Sequence, residues 1–172
     1  MPRYYKYRRS YVKRVYPRKR WASNIFTKNN LVTLGNGEKT AWIFTSICDN
    51  STQNSTPTPT LLKFGRLKLK GDIRTDVASN NNFVSGIMYV VYLPEGFNVG
   101  PDLIKQHPEY ILGWTQISLD SGNTFSFSSP LKRNLNSGDK IILMFTIDSV
   151  NSVQAVRNFN FYYTAQFWTA SG

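Results

Sequence analysis

The sequence contains one cysteine and one histidine, and each shortage excludes a class of protein. Cys48 alone cannot form an internal disulfide, so the chain is not a disulfide-stapled secreted domain, and we expect Cys48 to be a small core residue. His107 alone cannot build a histidine metal site, and its surroundings, KQHPEY, match no catalytic triad motif. The carboxylates are scattered singly, so no acid–base pair can be named. We predict that the protein is not an enzyme and binds no metal or cofactor.

Long hydrophobic runs are also lacking. No apolar segment approaches the ~20 residues that are needed to span a bilayer. The basic residues at the start of the chain are not followed by the apolar segment of a secretory signal. We therefore expect no membrane partner.

Acidic residues are lacking at the N-terminal end, where the charge is strongly positive. Of the 21 Lys and Arg residues, nine lie in residues 1–20, which leaves 12 against all 10 Asp and Glu residues in the rest of the chain. A nearly neutral domain therefore carries a cationic arm, and this asymmetry indicates a polyanionic partner. The nine cations are Arg3, Lys6, Arg8, Arg9, Lys13, Arg14, Arg18, Lys19 and Arg20.

The arm, taken as residues 1–21, also contains tyrosines but few aliphatic residues. Such a segment repels itself and has little to bury, so we predict that it is disordered alone. Its cations can neutralise phosphates, and its tyrosines can stack on exposed bases, which favours single-stranded nucleic acid. A nuclear import signal and a membrane tether are the alternatives, and import is compatible with nucleic-acid binding. The tyrosines are Tyr4, Tyr5, Tyr7, Tyr11 and Tyr16.

From about residue 25 the sequence alternates between apolar and polar positions, which predicts strands rather than helices. Eight strands in the domain 22–172 predict an all-β, two-sheet antiparallel sandwich, of which the jelly roll is the eight-stranded form. Closed barrels and immunoglobulin-like sandwiches fit the same pattern. The strands are expected at 25–34, 40–48, 62–73, 83–93, 110–119, 124–131, 140–148 and 158–168, with a helical turn at 102–106 and turns at 35–37 and 132–139.

The strand at 62–73 carries Arg66, Lys68 and Lys70 at every second position, opposite a face with Gly65, Leu67, Leu69 and Ile73. This spacing places the three cations on one face of a sheet. They either extend the binding surface of the arm or form the solvated side of an edge strand. The aromatic residues Trp42, Trp114 and Trp168 are expected in the core, with contacts between subunits as the alternative.

Three segments resemble the capsid proteins of circular single-stranded DNA viruses that encode a replication initiator, the circovirus and cyclovirus type. They are the Arg/Tyr-rich opening MPRYYKYRRSYVKRVYPRKRW, the basic strand LKFGRLKLKGDI that ends at residue 73, and the run from HPEYILGW to SPLKRNLNSGDKIILMF at 107–145. The similarity extends in order over nearly the whole chain.

The resemblance implies a jelly-roll coat protein that assembles into a closed icosahedral shell of about 60 copies. It also implies that the arm faces inward on packaged single-stranded DNA, and that assembly takes place in the host nucleus after recognition by a nuclear import receptor. Packaged nucleic acid, with DNA favoured, and further copies of the chain are then the partners. The alternatives are a non-viral nucleic-acid-binding module of ribosomal or chromatin type and the capsid of a small satellite RNA virus.

Overall fold

The computed structural model describes residues 21–51, 61–75, 84–118, 123–150 and 155–171. Of the predicted arm, only Trp21 falls among these residues. Residues 52–60, the polar segment TQNSTPTPT, lie outside the described residues.

All eight predicted strands are present, together with one short helix. The alternation of apolar and polar residues located each strand to within a few residues. The strands are β1 (Ala22–Leu34), β2 (Thr40–Asp49), β3 (Leu62–Thr75), β4 (Val84–Leu93), β5 (Ile111–Ser118), β6 (Thr124–Leu135), β7 (Lys140–Ser149) and β8 (Arg157–Ser171). The helix α1 (Pro101–Gln106) is followed by a 3-10 turn at Pro108–Tyr110.

The strands form two four-stranded antiparallel sheets. Sheet I has the order β1-β8-β3-β6, and sheet II has the order β2-β7-β4-β5. This order is that of an eight-stranded jelly roll, in which the chain crosses repeatedly from one sheet to the other. The predicted fold class is therefore confirmed, and the barrel and immunoglobulin-like alternatives are wrong.

The core lies between the two sheets and is rich in aromatic rings. Phe145 on β7 contacts Phe161 and Tyr163 on β8, with centroid distances of 4.4 and 5.5 Å. Each such ring contributes roughly 1.5–3 kcal/mol through burial. Inward side chains of β3 and β8 alternate with exposed or half-buried ones, so the same strands that fill the core also present polar residues on their outer face.

The turn between β6 and β7 is shorter than the sequence predicts. Strand β6 continues through Pro130 to Leu135, so the turn comprises residues 136–139 rather than 132–139. Pro130 is tolerated because β6 is at the edge of sheet I, where a missing N–H removes no necessary ladder bond. Gly138 in this turn has a positive φ of +87°, a conformation that glycine adopts without steric cost.

The outer face of sheet II is apolar and is partly covered by α1. Leu103 of the helix packs against Val91, Leu93 and Ile142. Trp42 and Trp114 are 40% and 61% exposed, so their predicted place in the core is wrong. Each of these two tryptophans lies next to inward-facing residues of its strand. Because successive side chains in a strand point to opposite faces of the sheet, both indoles point outward. In the described part of the chain, no helix is long and apolar enough to cross a membrane.

Candidate nucleic-acid interface

The basic stripe lies on the outer face of sheet I. Arg66, Lys68 and Lys70 are exposed, whereas Leu67 and Leu69 between them are 2% and 1% exposed. Their strand, β3, lies between β8 and β6, so the interpretation of the stripe as the side of an edge strand is wrong. The three cations thus stand in the interior of a continuous sheet surface.

The residues beside the stripe are polar and uncharged. Hydroxyl and amide groups occupy the positions paired with its lysines on both neighbouring strands, so the positive charges are not neutralised by carboxylates at these positions. Such hydroxyl and amide groups also bind phosphate oxygens in protein–nucleic acid complexes. Lys68 is paired with Ser128 and Gln166, and Lys70 with Ser126 and Thr164.

Two more cations extend the stripe, and we call the five together the basic face: Arg66, Lys68, Lys70, Arg74 and Lys132. Arg74 forms an exposed ion pair with Asp72, with 2.7 Å between Nε and Oδ2. The side chain of Arg74 is 69% exposed, so its guanidinium stays accessible to a ligand. Lys132 was not predicted as part of this surface, because the sequence pattern ended β6 at residue 131, whereas the strand continues to Leu135.

A β-bulge interrupts the stripe at Gly65 and Arg66. The register of β3 shifts there against both neighbouring strands, and Arg66 has a φ of +53°. This left-handed conformation is uncommon for a residue with a side chain. Because the bulge adds one residue, Gly65 lies on the outer face instead of sharing the inner face with Leu67, contrary to the sequence pattern.

The bulge forms the floor of a cavity of about 270 Å³ on the basic face. Gly65 is paired with Trp168 on one side and with Lys132 on the other. Trp21 closes the same cavity, and Nζ of Lys132 lies 5.7 Å from the centroid of its ring. This grouping could not be predicted from the sequence, because the residues come from four separate segments that only the strand order brings together.

The arm precedes this cavity in the chain. Its nine cations and five tyrosines, from Arg3 to Arg20, lie outside the described residues, so their roles stay predictions. Trp21, which follows Arg20 directly, contacts the basic face, with Cζ3 lying 3.4 Å from the position that a Cβ on Gly65 would occupy. The first described residue therefore lies at the same surface as the stripe.

Cys48 and His107, the single cysteine and the single histidine, both contact neighbouring side chains away from the basic face. Cys48 is buried, and burial together with the nearby Asp49 raises the pKa of its thiol to about 11. His107 stacks on Tyr110 at 4.9 Å, and its Nδ1 lies 2.9 Å from Glu109 Oε1, a hydrogen bond that lowers the pKa of Glu109. Among the described residues, no group of three or more His, Cys, Asp or Glu side chains is placed to hold a metal ion.

A larger cavity, of about 770 Å³, lies on the side of sheet II and has a different character. Its charged residues are Asp49, Glu95 and Lys140, and Lys140 pairs with Asp49 at 3.1 Å. The lining therefore carries no excess of positive charge. It does not suit a polyanion, and the candidate interface is confined to sheet I.

The fold and the site together define the chain as a jelly-roll domain with a basic outer face on one sheet. No protein-family model matches the sequence, and no curated protein is significantly similar to it.

Solved structures that match this chain in a structural comparison include two from viruses and one from a bacterium. The decameric capsid protein of BFDV gives a TM-score of 0.39 at 6% identity, over 89% of this chain and 99% of that chain. A structure of Desmodium yellow mottle tymovirus gives 0.36 at 15% identity, over 88% and 89% of the two chains. The Yersinia pseudotuberculosis-derived mitogen gives 0.28 at 15% identity, over 83% and 86%. Similarity of this extent does not assign a function.

Proposed function

We propose that this protein is a viral coat protein that assembles into a small icosahedral shell and packages single-stranded DNA. The observation that carries the proposal is that the basic face of sheet I lies where the chain emerges from the cationic arm, at Trp21. Jelly rolls serve viral capsids, lectins and cupins alike, so the fold does not choose among them. A predominantly cationic surface next to a cationic arm favours the capsid.

The charge of the arm fits packaging. Each Lys or Arg that contacts a phosphate releases condensed counterions, which makes binding favourable and strongly dependent on salt. About 60 arms with nine cations each would bring on the order of 540 positive charges into one shell. The basic face adds five cations per subunit to the same surface. In the assembled shell this surface would face inward. Before assembly, the same arm would be recognised by a nuclear import receptor.

The outer face of sheet II supplies apolar groups for contacts between copies. Trp42 and Phe44 are 40% and 45% exposed and stack on each other with 6.2 Å between centroids. Aromatic side chains are enriched in the centres of protein interfaces, and exposed apolar groups of this size mark contact sites. The two sheets therefore offer different surfaces, one for nucleic acid and one for neighbouring subunits.

Particle size tests the proposal directly. The full-length protein is purified and its sedimentation and negative-stain images are compared with and without single-stranded DNA. Closed shells of uniform diameter are expected, with DNA shifting the distribution toward them. A monomer that binds nucleic acid without assembling would contradict the coat-protein function and favour a solitary binding module. Shells that select RNA over DNA of equal length would instead favour the capsid of a satellite RNA virus.

A further inference from the structure

The cavity at the bulge combines two indole rings with two cations. It is lined by Trp21, Gly65, Arg66, Lys132 and Trp168. We propose that it is a nucleotide-binding pocket, in which one unstacked base of a single strand packs against the indoles while the adjacent phosphate is bound by Arg66 and Lys132. This inference rests on the proposed nucleic-acid function and adds to it a specific subsite.

The pocket exists because residue 65 has no side chain. A Cβ on Gly65 would lie 3.1 Å from Cγ of Lys132 and 3.4 Å from Cζ3 of Trp21, so it would enter the space between them. Gly65 thus forms a low floor between two large neighbours on the paired strands, Trp168 and Lys132. In strands, glycine of this kind marks places where a ligand or another backbone approaches closely.

Backbone strain at Arg66 points to the same place. Its φ of +53° belongs to a region that arginine rarely occupies, and the bulge turns this residue toward the cavity that it lines. Strained residues of this kind cluster at ligand-binding sites, where the surrounding structure maintains them. Bulges likewise re-aim side chains next to such sites. Arg66 is therefore positioned at the rim with its guanidinium available to a phosphate.

The chemistry of the lining selects a nucleotide of a single strand. Two of its five residues are cationic and none is a carboxylate, so it attracts anions and repels cations. Indole rings stack on bases whose faces are free, and these are not available inside a duplex. Its volume of about 270 Å³ is slightly below the ~300–1,000 Å³ of pockets that hold drug-sized ligands, which suits a single base rather than a longer ligand.

The test separates base stacking from phosphate binding in the full-length protein. Affinities are measured for oligothymidylate and for an abasic strand of the same length, which keeps the phosphates and lacks the bases. Trp21→Leu should weaken binding of oligothymidylate about tenfold, which is within the range for loss of one stacked base. It should leave binding of the abasic strand unchanged. Arg66→Gln should weaken binding of both strands.

Two further variants serve as the control and as a second probe. Phe97→Leu removes an aromatic ring that is 40% exposed in the loop between β4 and α1, away from the basic face, and it should change neither affinity. Gly65→Ala keeps both indoles but fills the floor of the cavity, and it should reproduce the loss seen for Trp21→Leu.

If Trp21→Leu and Gly65→Ala bind oligothymidylate as tightly as Phe97→Leu, the pocket is not a nucleotide site, although the proposed function stands. If the unaltered protein shows no salt-dependent binding of either strand, the proposed function itself fails.

Discussion

Cys48 shows how burial determines the chemistry of a single side chain. It ends the apolar part of β2, where its neighbour Ile47 also belongs to the core. Burial raises the pKa of its thiol from 9.0 to about 11, with Asp49 adding to the effect. Because the thiolate is the reactive form, such a cysteine is inert near neutral pH. The prediction that Cys48 is a small core residue is confirmed.

We predict slow alkylation of Cys48 in the folded protein. At pH 8 a shift of this size lowers the thiolate fraction about 100-fold, and burial slows attack further. The rate with iodoacetamide is compared in buffer and in denaturant. The folded pKa lies above the unfolded one, so the thiol contributes stability fully below about pH 9 and loses it as the pH rises toward 11. Equal alkylation rates in the two conditions would contradict this account.

Asp139 is a buried carboxylate whose role is structural. It is 4% exposed, and it accepts hydrogen bonds from Tyr92 Oη at 2.7 Å and from the backbone N–H groups of Asn136 and Glu95 at 2.8 and 3.2 Å. These bonds join the β6–β7 turn to the end of β4. A buried charge is stable only when it is satisfied in this way.

Replacing Asp139 tests this role. Asp139→Ala leaves three donors without an acceptor, and we expect the free energy of unfolding in urea to fall by about 2–4 kcal/mol. Asp139→Asn keeps one carbonyl oxygen and should cost less than Asp139→Ala. If Asp139→Ala unfolds in urea with the same midpoint and the same slope as the unaltered protein, the carboxylate is not needed to stabilise the turn.

At the scale of the strands, the alternation of apolar and polar residues was enough to predict that each strand exists and approximately where it begins and ends. In β3 and β8, inward and outward residues alternate with period two over most of their length. The order of the strands within each sheet could not be predicted, because pairing depends on contacts between residues far apart in sequence. The bulge at Gly65 was missed for a similar reason, since one extra residue changes the face of its neighbours without altering the local composition.

Gly71 provides a test of packing within sheet I. A Cβ at this position would lie 2.5 Å from the carbonyl oxygen of Tyr162 and 2.7 Å from Cζ of Phe125. Gly71→Ala should therefore reduce the free energy of unfolding by about 1–3 kcal/mol through overpacking. Gly100→Ala is the control, because Gly100 has an extended φ of −164° and no atom within 4 Å of the added methyl group. Similar stabilities of the two variants in urea would argue against close packing at β3.

At the scale of the whole molecule, the jelly roll separates two kinds of surface. The outer face of sheet I is polar and basic, whereas the outer face of sheet II presents aromatic residues such as Trp42 and Trp114. The stripe was predictable because its three cations share one strand. Lys132 and the two indoles were not predictable as part of the same site, because only the folded sheet places β6 and β8 beside β3 and brings Trp21, which precedes β1, to the same surface. Such a two-sided subunit is suited to enclosing a polyanion while it contacts its neighbours.

The arm and the domain should be separable. Deleting residues 1–20 removes nine cations but none of the residues of the jelly roll, so we expect the domain to remain folded, as circular dichroism and urea unfolding would report. Affinity for single-stranded DNA should fall sharply, together with the slope of log affinity against log salt. An undiminished slope would show that the arm is not the main binding element.

Within the folded domain, the position of the positive charges should matter more than their number. The triple variant Arg66→Gln, Lys68→Gln, Lys70→Gln removes three cations from the basic face. The control, Lys39→Gln, Lys105→Gln, Lys140→Gln, removes three cations outside that face and lowers the net charge equally.

For single-stranded DNA, three lost phosphate contacts should reduce the salt slope by about 2, at roughly 0.7 per contact. The control should alter it only slightly, because long-range effects between exposed charges are screened beyond ~10 Å at 0.1 M salt. Equal losses in the two variants would mean that net charge alone, rather than the surface of sheet I, determines binding.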